Sequence, residues 1–333
     1  MRRSLALLTL TATVAAMVLV ASPTAGALAQ RGYGYRSWLK GDPTDVRVTT
    51  MPGVMLEGGR ADRRDAWEWF LQHAGYGDIL ILCATCDAAY NPYVMSTHAV
   101  DSVQTLKLTK RRAAFDPFVL ASMQSADGVF IAGGDQSDYV RIWRDTPIAT
   151  AIDALIARGG PVGGISAGLA VLGNFVFAAQ KNTITSKRAL LDCFNHKITL
   201  RRDMLQVPDL VSTIADSHFS QRGRLGRTLT FMARTIRDGW TTDAKGIGVD
   251  EATALLVEGD GSATVIGAGA AWFIRMSADD VRTCERHRPL ETRFVPVHVV
   301  SKGDTFDLAS WSGGAEPTRR VKAIDGGLLW ATP

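Results

Sequence analysis

Hydrophobic and polar positions along this chain follow two rhythms. Short, continuously apolar runs, Ile79-Leu80-Ile81-Leu82 and Gly128-Val129-Phe130-Ile131-Ala132 among them, read as buried strands. Between them, apolar residues recur at helical spacing: Ala66, Trp69 and Phe70 within 62–73, then Ile148, Ile152, Leu155 and Ile156 within 148–158. The stretch 103–123 also contains helical material. Strands alternating with helices build βαβ units around a parallel sheet, whose functional loops sit at the carboxyl ends of the strands. Gly133-Gly134-Asp135-Gln136 and the turn at Ser166 both fall at such ends. From about residue 246 strand-like runs dominate (253–257, 262–266 and 295–300), predicting strands that extend the sheet or add a small β layer. The expected class is α/β, with helices around a mainly parallel sheet and C-terminal β additions.

The N-terminus breaks this rhythm. Arg2-Arg3, an apolar run over 5–21 and the small-residue triplet Ala27-Leu28-Ala29 have the three-part order of a secretory signal peptide. Residues 1–29 are therefore expected to be removed near Ala29, leaving a secreted or periplasmic protein without a stable membrane anchor. Residues 30–46 are polar and glycine-bearing and read as a linker, and 47–333 as a single domain. A formal charge of +4 with no basic stripe interleaved by aromatics gives no argument for nucleic acid. Four cysteines are too few to be the framework of a fold this size. Cys83-Ala84-Thr85-Cys86 has the spacing of a redox or zinc pair, but no second such pair follows, so bridges or buried thiols are expected.

The strongest chemical signal is Gly163-Gly164-Ile165-Ser166-Ala167-Gly168, a strand running into a glycine-flanked serine and then a helical stretch. That is the layout of a nucleophile elbow, in which small neighbours permit a tight turn and the serine hydroxyl is left accessible. Serine catalysis also needs a base, an acid that orients it, and donors for the oxyanion. Of six histidines, His218 alone follows a strand-like run (211–214) in the way Ser166 does. Arg222, Arg224 and Arg227 come next, opening a helix as a cluster suited to clamping an anion.

Four segments together, GGDQ at 133–136, GISAG at 164–168, DSHFSQRGRLGR at 216–227 and GIGVDEATAL at 246–255, resemble the cyanophycinase family of serine peptidases, peptidase family S51, to which aspartyl dipeptidase also belongs. The resemblance spans roughly residues 50 to 300. It implies a three-layer α/β sandwich like that of the class I glutamine amidotransferases, flavodoxin-like in its mainly parallel sheet, and a Ser–His–acid mechanism through an acyl-enzyme. Carried across motif by motif, Ser166 matches the nucleophile and His218 the base. The N–H groups of Gly134 and Ala167 match the oxyanion donors, and Gln136 with Arg222, Arg224 and Arg227 match substrate contacts. Glu251 is the first choice for the orienting acid and Asp216, otherwise a substrate contact, the second. The implied substrate is cyanophycin, a polyaspartate bearing arginine on its β-carboxyls, or a related β-aspartyl peptide; Asp135, Asp138 and Asp87 are candidates for its guanidinium. No metal or organic cofactor is needed, and a homodimer is left open. An α/β-hydrolase esterase is the alternative enzyme, disfavoured because that fold usually places its histidine last. An inactive acidic-peptide binder is the alternative from another class.

Overall fold

Successive side chains of a strand point to opposite faces, so the continuously apolar central strands are apolar on both, and the sheet they form must be covered on both sides. The computed structural model describes residues 28–332. Its first half contributes strands β1 (Leu28–Gly32), β2 (Tyr35–Gly41), β3 (Gly53–Glu57), β4 (Asp78–Cys83), β5 (Ser102–Leu108), β6 (Gly128–Ile131) and β7 (Val162–Ile165). Helices α1 (Arg64–His73), α2 (Tyr90–Met95), α3 (Pro117–Ser125), α4 (Gln136–Trp143) and α5 (Pro147–Ala157) alternate with them. The neighbours β5-β4-β6-β7-β3 all pair in parallel. Met55, Ile79, Ile81 and Phe130 join Trp67, Phe70 and Leu71 of α1 in one buried cluster. Leu56, Leu80, Leu82 and Ile131 belong to another, with Val119 of α3, Trp143 of α4 and Ile152 of α5. Each such side chain contributes about 1.5–3 kcal/mol when fully buried.

The second half does both things expected of it and more. After the short helix α6 (Ala167–Ala170) come β8 (Phe175–Phe177), α7 (Ser186–Leu191), β9 (Leu200–Arg202), β10 (Thr213–Asp216) and α8 (Leu225–Arg237). Then follow β11 (Asp243–Val249), β12 (Thr253–Glu258), β13 (Ser262–Gly267) and β14 (Ala271–Ser277). β12 and β13 continue the first sheet antiparallel from β3, and two short later strands (Thr305–Asp307 and Ser312–Gly313) complete its eleven. β8 to β11 and β14 join three later strands in a second sheet of eight. Ile247, Val249 and Phe273 of that sheet share a buried cluster with Leu255, Val257 and Val265 of the first. Ile214, Ala244 and Ile274 cluster with Leu229 and Met232 of α8. The sandwich thus continues into a sheet-on-sheet half, its last layer made by α7 and α8.

Three local expectations are corrected. The segment read as a linker is instead mostly a hairpin: β1 pairs with β2, and β2 pairs residue for residue with β5. Its alternation was hidden because the inward face is itself partly polar: Tyr35 and Ser37 are buried while Arg36 is exposed. The stretch 103–123 opens with β5, and its helical part is a 3₁₀ turn (Arg111–Phe115) followed by α3. The arginine cluster does not open a helix, since α8 begins at Leu225 and only Arg227 lies inside it. The signal-peptide expectation lies outside the described residues except for Leu28 and Ala29, which begin β1. Among the described residues no helix is long and apolar enough to cross a membrane. All four cysteines are bridged, Cys83 to Cys86 and Cys193 to Cys284.

Candidate active site

β7 delivers Ser166 into a backbone conformation that a side-chain-bearing residue rarely adopts, φ 55° and ψ −110°. Such a conformation costs on the order of 1–3 kcal/mol and persists only where the surroundings enforce it. Here the Ser166 N–H donates to the Glu57 carbonyl of β3 at 3.0 Å, and the Ser166 carbonyl accepts from Ala170 N–H at 3.1 Å. The flanking glycines are required by close approach: a Cβ on Gly164 would stand 2.5 Å from the Gly168 carbonyl carbon, and one on Gly168 would collide with the Ile131 carbonyl.

The turn after β10 brings His218 to the serine. Its Nε2 lies 2.8 Å from Ser166 Oγ, and its Nδ1 lies 2.8 Å from Glu251 Oε1, so one line of hydrogen bonds joins the three. Glu251 Oε2 accepts from Arg60 Nη1 at 3.4 Å. With Nδ1–H donating to the carboxylate, Nε2 is left as the acceptor facing the hydroxyl, the tautomer a general base requires. The loop after β3 holds this line in place. Gly58 C=O accepts from His218 N–H at 2.8 Å, and Gly59 C=O accepts from Ala252 N–H at 2.9 Å. Gly59, at φ 107°, backs the imidazole so closely that a Cβ there would meet His218 Cε1 at 2.5 Å.

Burial holds His218 below the ordinary imidazole range, the Glu251 hydrogen bond opposes this, and the charges of Arg222 and Arg224 reinforce it. Hydrogen bonding to His218 lowers the Glu251 carboxyl, with Arg60 adding to the effect. The resting state is therefore neutral imidazole beside ionised carboxylate.

The family model of peptidase family S51 matches residues 92–265, which contain Ser166, His218 and Glu251. The chain belongs to peptidase family S51. As a member it is a serine-type peptidase. It is 28% identical to a cyanophycinase of Trichormus variabilis over 276 residues, 78% of this chain and 86% of that one. A cyanophycinase of Synechococcus elongatus is 28% identical over 269 residues, 77% of this chain and 79% of its own. The fold matches a solved peptidase from an acI-B1 Actinobacterium with a TM-score of 0.52 at 15% identity, covering 77% of this chain and 97% of that one.

Around this S51 centre the other expected residues divide. Gly133 lies beside Ser166, and among the described residues the N–H groups of Gly134 and Ala167 have no protein acceptor. Gln136 is half-buried, its Nε2 3.4 Å from the Phe177 carbonyl, and exposed Asp135 caps α4 by accepting from Ser137 N–H at 2.8 Å. Arg222 is exposed and makes no ion pair among the described residues. Asp216 and Arg227 were expected to touch substrate; instead they form a buried pair, Arg227 Nε to Asp216 Oδ2 at 2.7 Å and Nη2 to Oδ1 at 2.6 Å. The carboxylate on His218 Nδ1 is that of Glu251, while Asp216 faces Arg224 and Arg227. Arg224 is partly exposed and splits its duties: Nη1 donates to Asp216 Oδ1 at 2.9 Å and to the Ser217 carbonyl at 2.7 Å. Burial pushes its guanidinium down to about 10, with Asp216 opposing. Asp138 is committed to Arg141.

Sequence reasoning missed Gly58, Gly59, Arg60 and Gln221, whose Oε1 accepts from Glu251 N–H at 2.9 Å. A signal for the first two was present, since Val54-Met55-Leu56 is a buried-strand run ending in a glycine pair. Nothing in the sequence marks Arg60.

Proposed function

We propose that this S51 peptidase hydrolyses the β-aspartyl isopeptide bonds of cyanophycin or of related β-aspartyl peptides, after export from the cytoplasm. Ser166 Oγ attacks the scissile carbonyl while His218 Nε2 takes its proton, and the tetrahedral oxyanion settles between the N–H groups of Gly134 and Ala167. His218 then protonates the leaving amine, freeing it and leaving an acyl-enzyme. A water deprotonated by the same imidazole releases the acid product. Glu251 keeps the imidazole in its working tautomer and stabilises the imidazolium.

The observation that carries this reading is the unbroken line Ser166–His218–Glu251, with both spacings at 2.8 Å. The substrate class rests on the cyanobacterial relatives named cyanophycinase and on charge at the site. Arg222 and the open side of Arg224 suit the free carboxylates of a polyaspartate, and exposed Asp135 suits a guanidinium. The two disulfides and the signal-like N-terminus favour an oxidising compartment.

Incubation with insoluble cyanophycin tests the proposal. The wild-type protein should release β-Asp-Arg dipeptide and Ser166→Ala should not. Release by both would overturn the role of Ser166. No release from an enzyme whose Ser166 still reacts with a fluorophosphonate would discard cyanophycin in favour of shorter β-aspartyl peptides.

A further inference from the structure

Behind the nucleophile elbow lies a carboxyl group that the reaction above does not use. Glu57 is the last residue of β3, fully buried. Its Oε1 accepts from Arg63 N–H at 2.9 Å, while among the described residues its Oε2 has no donor. A second carboxyl, that of half-buried Asp62, lies close enough for its charge to act on Glu57, and it accepts from Tyr90 OH at 3.0 Å. Other titratable groups facing the pair are Arg63 and Asp65 on its own segment and α1, and Tyr90 and Tyr93 on α2. Arg63 is the one cation among them, and its guanidinium is engaged by Asp65, Nη2 to Oδ2 at 2.8 Å.

We infer that Glu57 is a positioning residue that works as the neutral acid, donating its proton to Asp62, and that this buried pair shapes the 57–63 loop that aligns the triad. An ionised Glu57 would be a buried charge without a dedicated cation beside a second carboxylate, an arrangement that proteins avoid by keeping the proton. Burial, reinforced by the charge on Asp62, accordingly pushes Glu57 well above the usual carboxylate range. With the proton on Oε2, the orphan oxygen becomes a second donor to Asp62 beside the Tyr90 hydroxyl, and both ends of the loop are tied.

What the loop carries makes this matter for catalysis. Its backbone and side chains touch every member of the triad: Glu57 C=O holds the Ser166 N–H, Gly58 C=O holds His218, and Arg60 holds Glu251. Loss of the shared proton would set two carboxylates against each other at the base of that loop. The inference rests on the proposed triad mechanism, and predicts an alkaline limb that belongs to Glu57. The sign follows from linkage. Between the ordinary glutamate value and the raised one, the folded state holds a proton that the unfolded chain has released, so stability falls as pH rises through that window.

The test follows two readouts against pH: the rate at which a fluorophosphonate labels Ser166, and the melting temperature. Glu57→Gln mimics the neutral acid, its amide N–H donating to Asp62 and its carbonyl accepting from Arg63 N–H. In the wild type both readouts should decline on the alkaline side, the labelling rate by roughly tenfold per pH unit. In Glu57→Gln both declines should be absent. Asp62→Asn removes the charge that raises Glu57 and should move the wild-type decline to lower pH. A Glu57→Gln profile that retains the wild-type decline would overturn the inference, as would a wild-type melting temperature that stays flat. Absence of labelling in the wild type at every pH would instead overturn the triad mechanism, and the melting profiles would then decide for or against the carboxyl pair.

Discussion

Ser166 shows how much of this site depends on single residues held where they would not go alone. Its positive φ aims the hydroxyl at His218, and the cost of that conformation is met by the backbone hydrogen bond from β3. In the proposed triad Glu251 acts only through the imidazole, so Glu251→Gln should lower kcat by roughly 10³–10⁴-fold with little change in KM, as expected when the orienting acid of a triad is neutralised. Steady-state kinetics on any turned-over substrate checks this, and a loss below about tenfold would remove Glu251 from the triad. The protonation state of His218 sets the acid side of the profile. Because burial lowers it from 6.5, kcat/KM should rise with pH through a midpoint below that value and be level by neutrality. The stability sign agrees. Between the lowered value and the ordinary one the unfolded chain binds the proton that the folded imidazole refuses, so this histidine makes stability increase with pH across that interval.

At the scale of elements, the site is an assembly of strand ends, and what fixes each end differs. The turn after β10 is locked by the buried Asp216–Arg227 pair, with Arg224 closing over it. Removing one partner of such a pair leaves an uncompensated buried charge, so Asp216→Ala should cost about 3–5 kcal/mol in denaturant unfolding. A loss under about 1 kcal/mol would mean the pair is solvated. This same turn marks the boundary of what the sequence could reveal. Ser166, His218 and Glu251 were legible because each follows an apolar run in a recognisable motif, and the tight glycine turn has a local steric signature. The partners of the arginines were not legible, because a cluster of Arg beside an Asp reads alike whether it clamps a ligand or its own neighbour; only burial separates the two. The loop after β3 was missed for a related reason, since its contacts with Ser166, His218 and Glu251 span more than a hundred residues and leave no local period. The β1–β2 hairpin hides from the sequence because its inward face mixes polar Ser37 with Tyr35, which blurs the alternation.

Over the whole molecule, two sheets converge on one seam. The parallel strands of the first bring Ser166 and the glycine loop to their carboxyl ends, and β10 and β11 of the second bring His218 and Glu251 to theirs. The alternation of strands and helices made the first sheet readable from the sequence. The second was foreseen only as additions, because its strands are drawn from both sides of α8 and their pairing is nonlocal. Its outer layer is tied by Cys193–Cys284, which spans 91 residues of sequence. Closing a loop of that length restricts the unfolded chain by about 4–5 kcal/mol in the chain-entropy view. The double variant Cys193→Ala/Cys284→Ala should therefore unfold at markedly lower denaturant, while Cys83→Ala/Cys86→Ala, which opens a far shorter loop, should lose less. Equal losses in the two would count against an entropic origin.

In the proposed reaction everything depends on Ser166 being a nucleophile activated by His218. The most direct measurement is fluorophosphonate labelling followed by peptide mapping, on wild type, His218→Ala and Ser166→Ala. One adduct is expected, on Ser166, with labelling slowed at least roughly a hundredfold in His218→Ala and absent in Ser166→Ala. An adduct on another residue, or Ser166 labelling that is indifferent to the loss of His218, would contradict it.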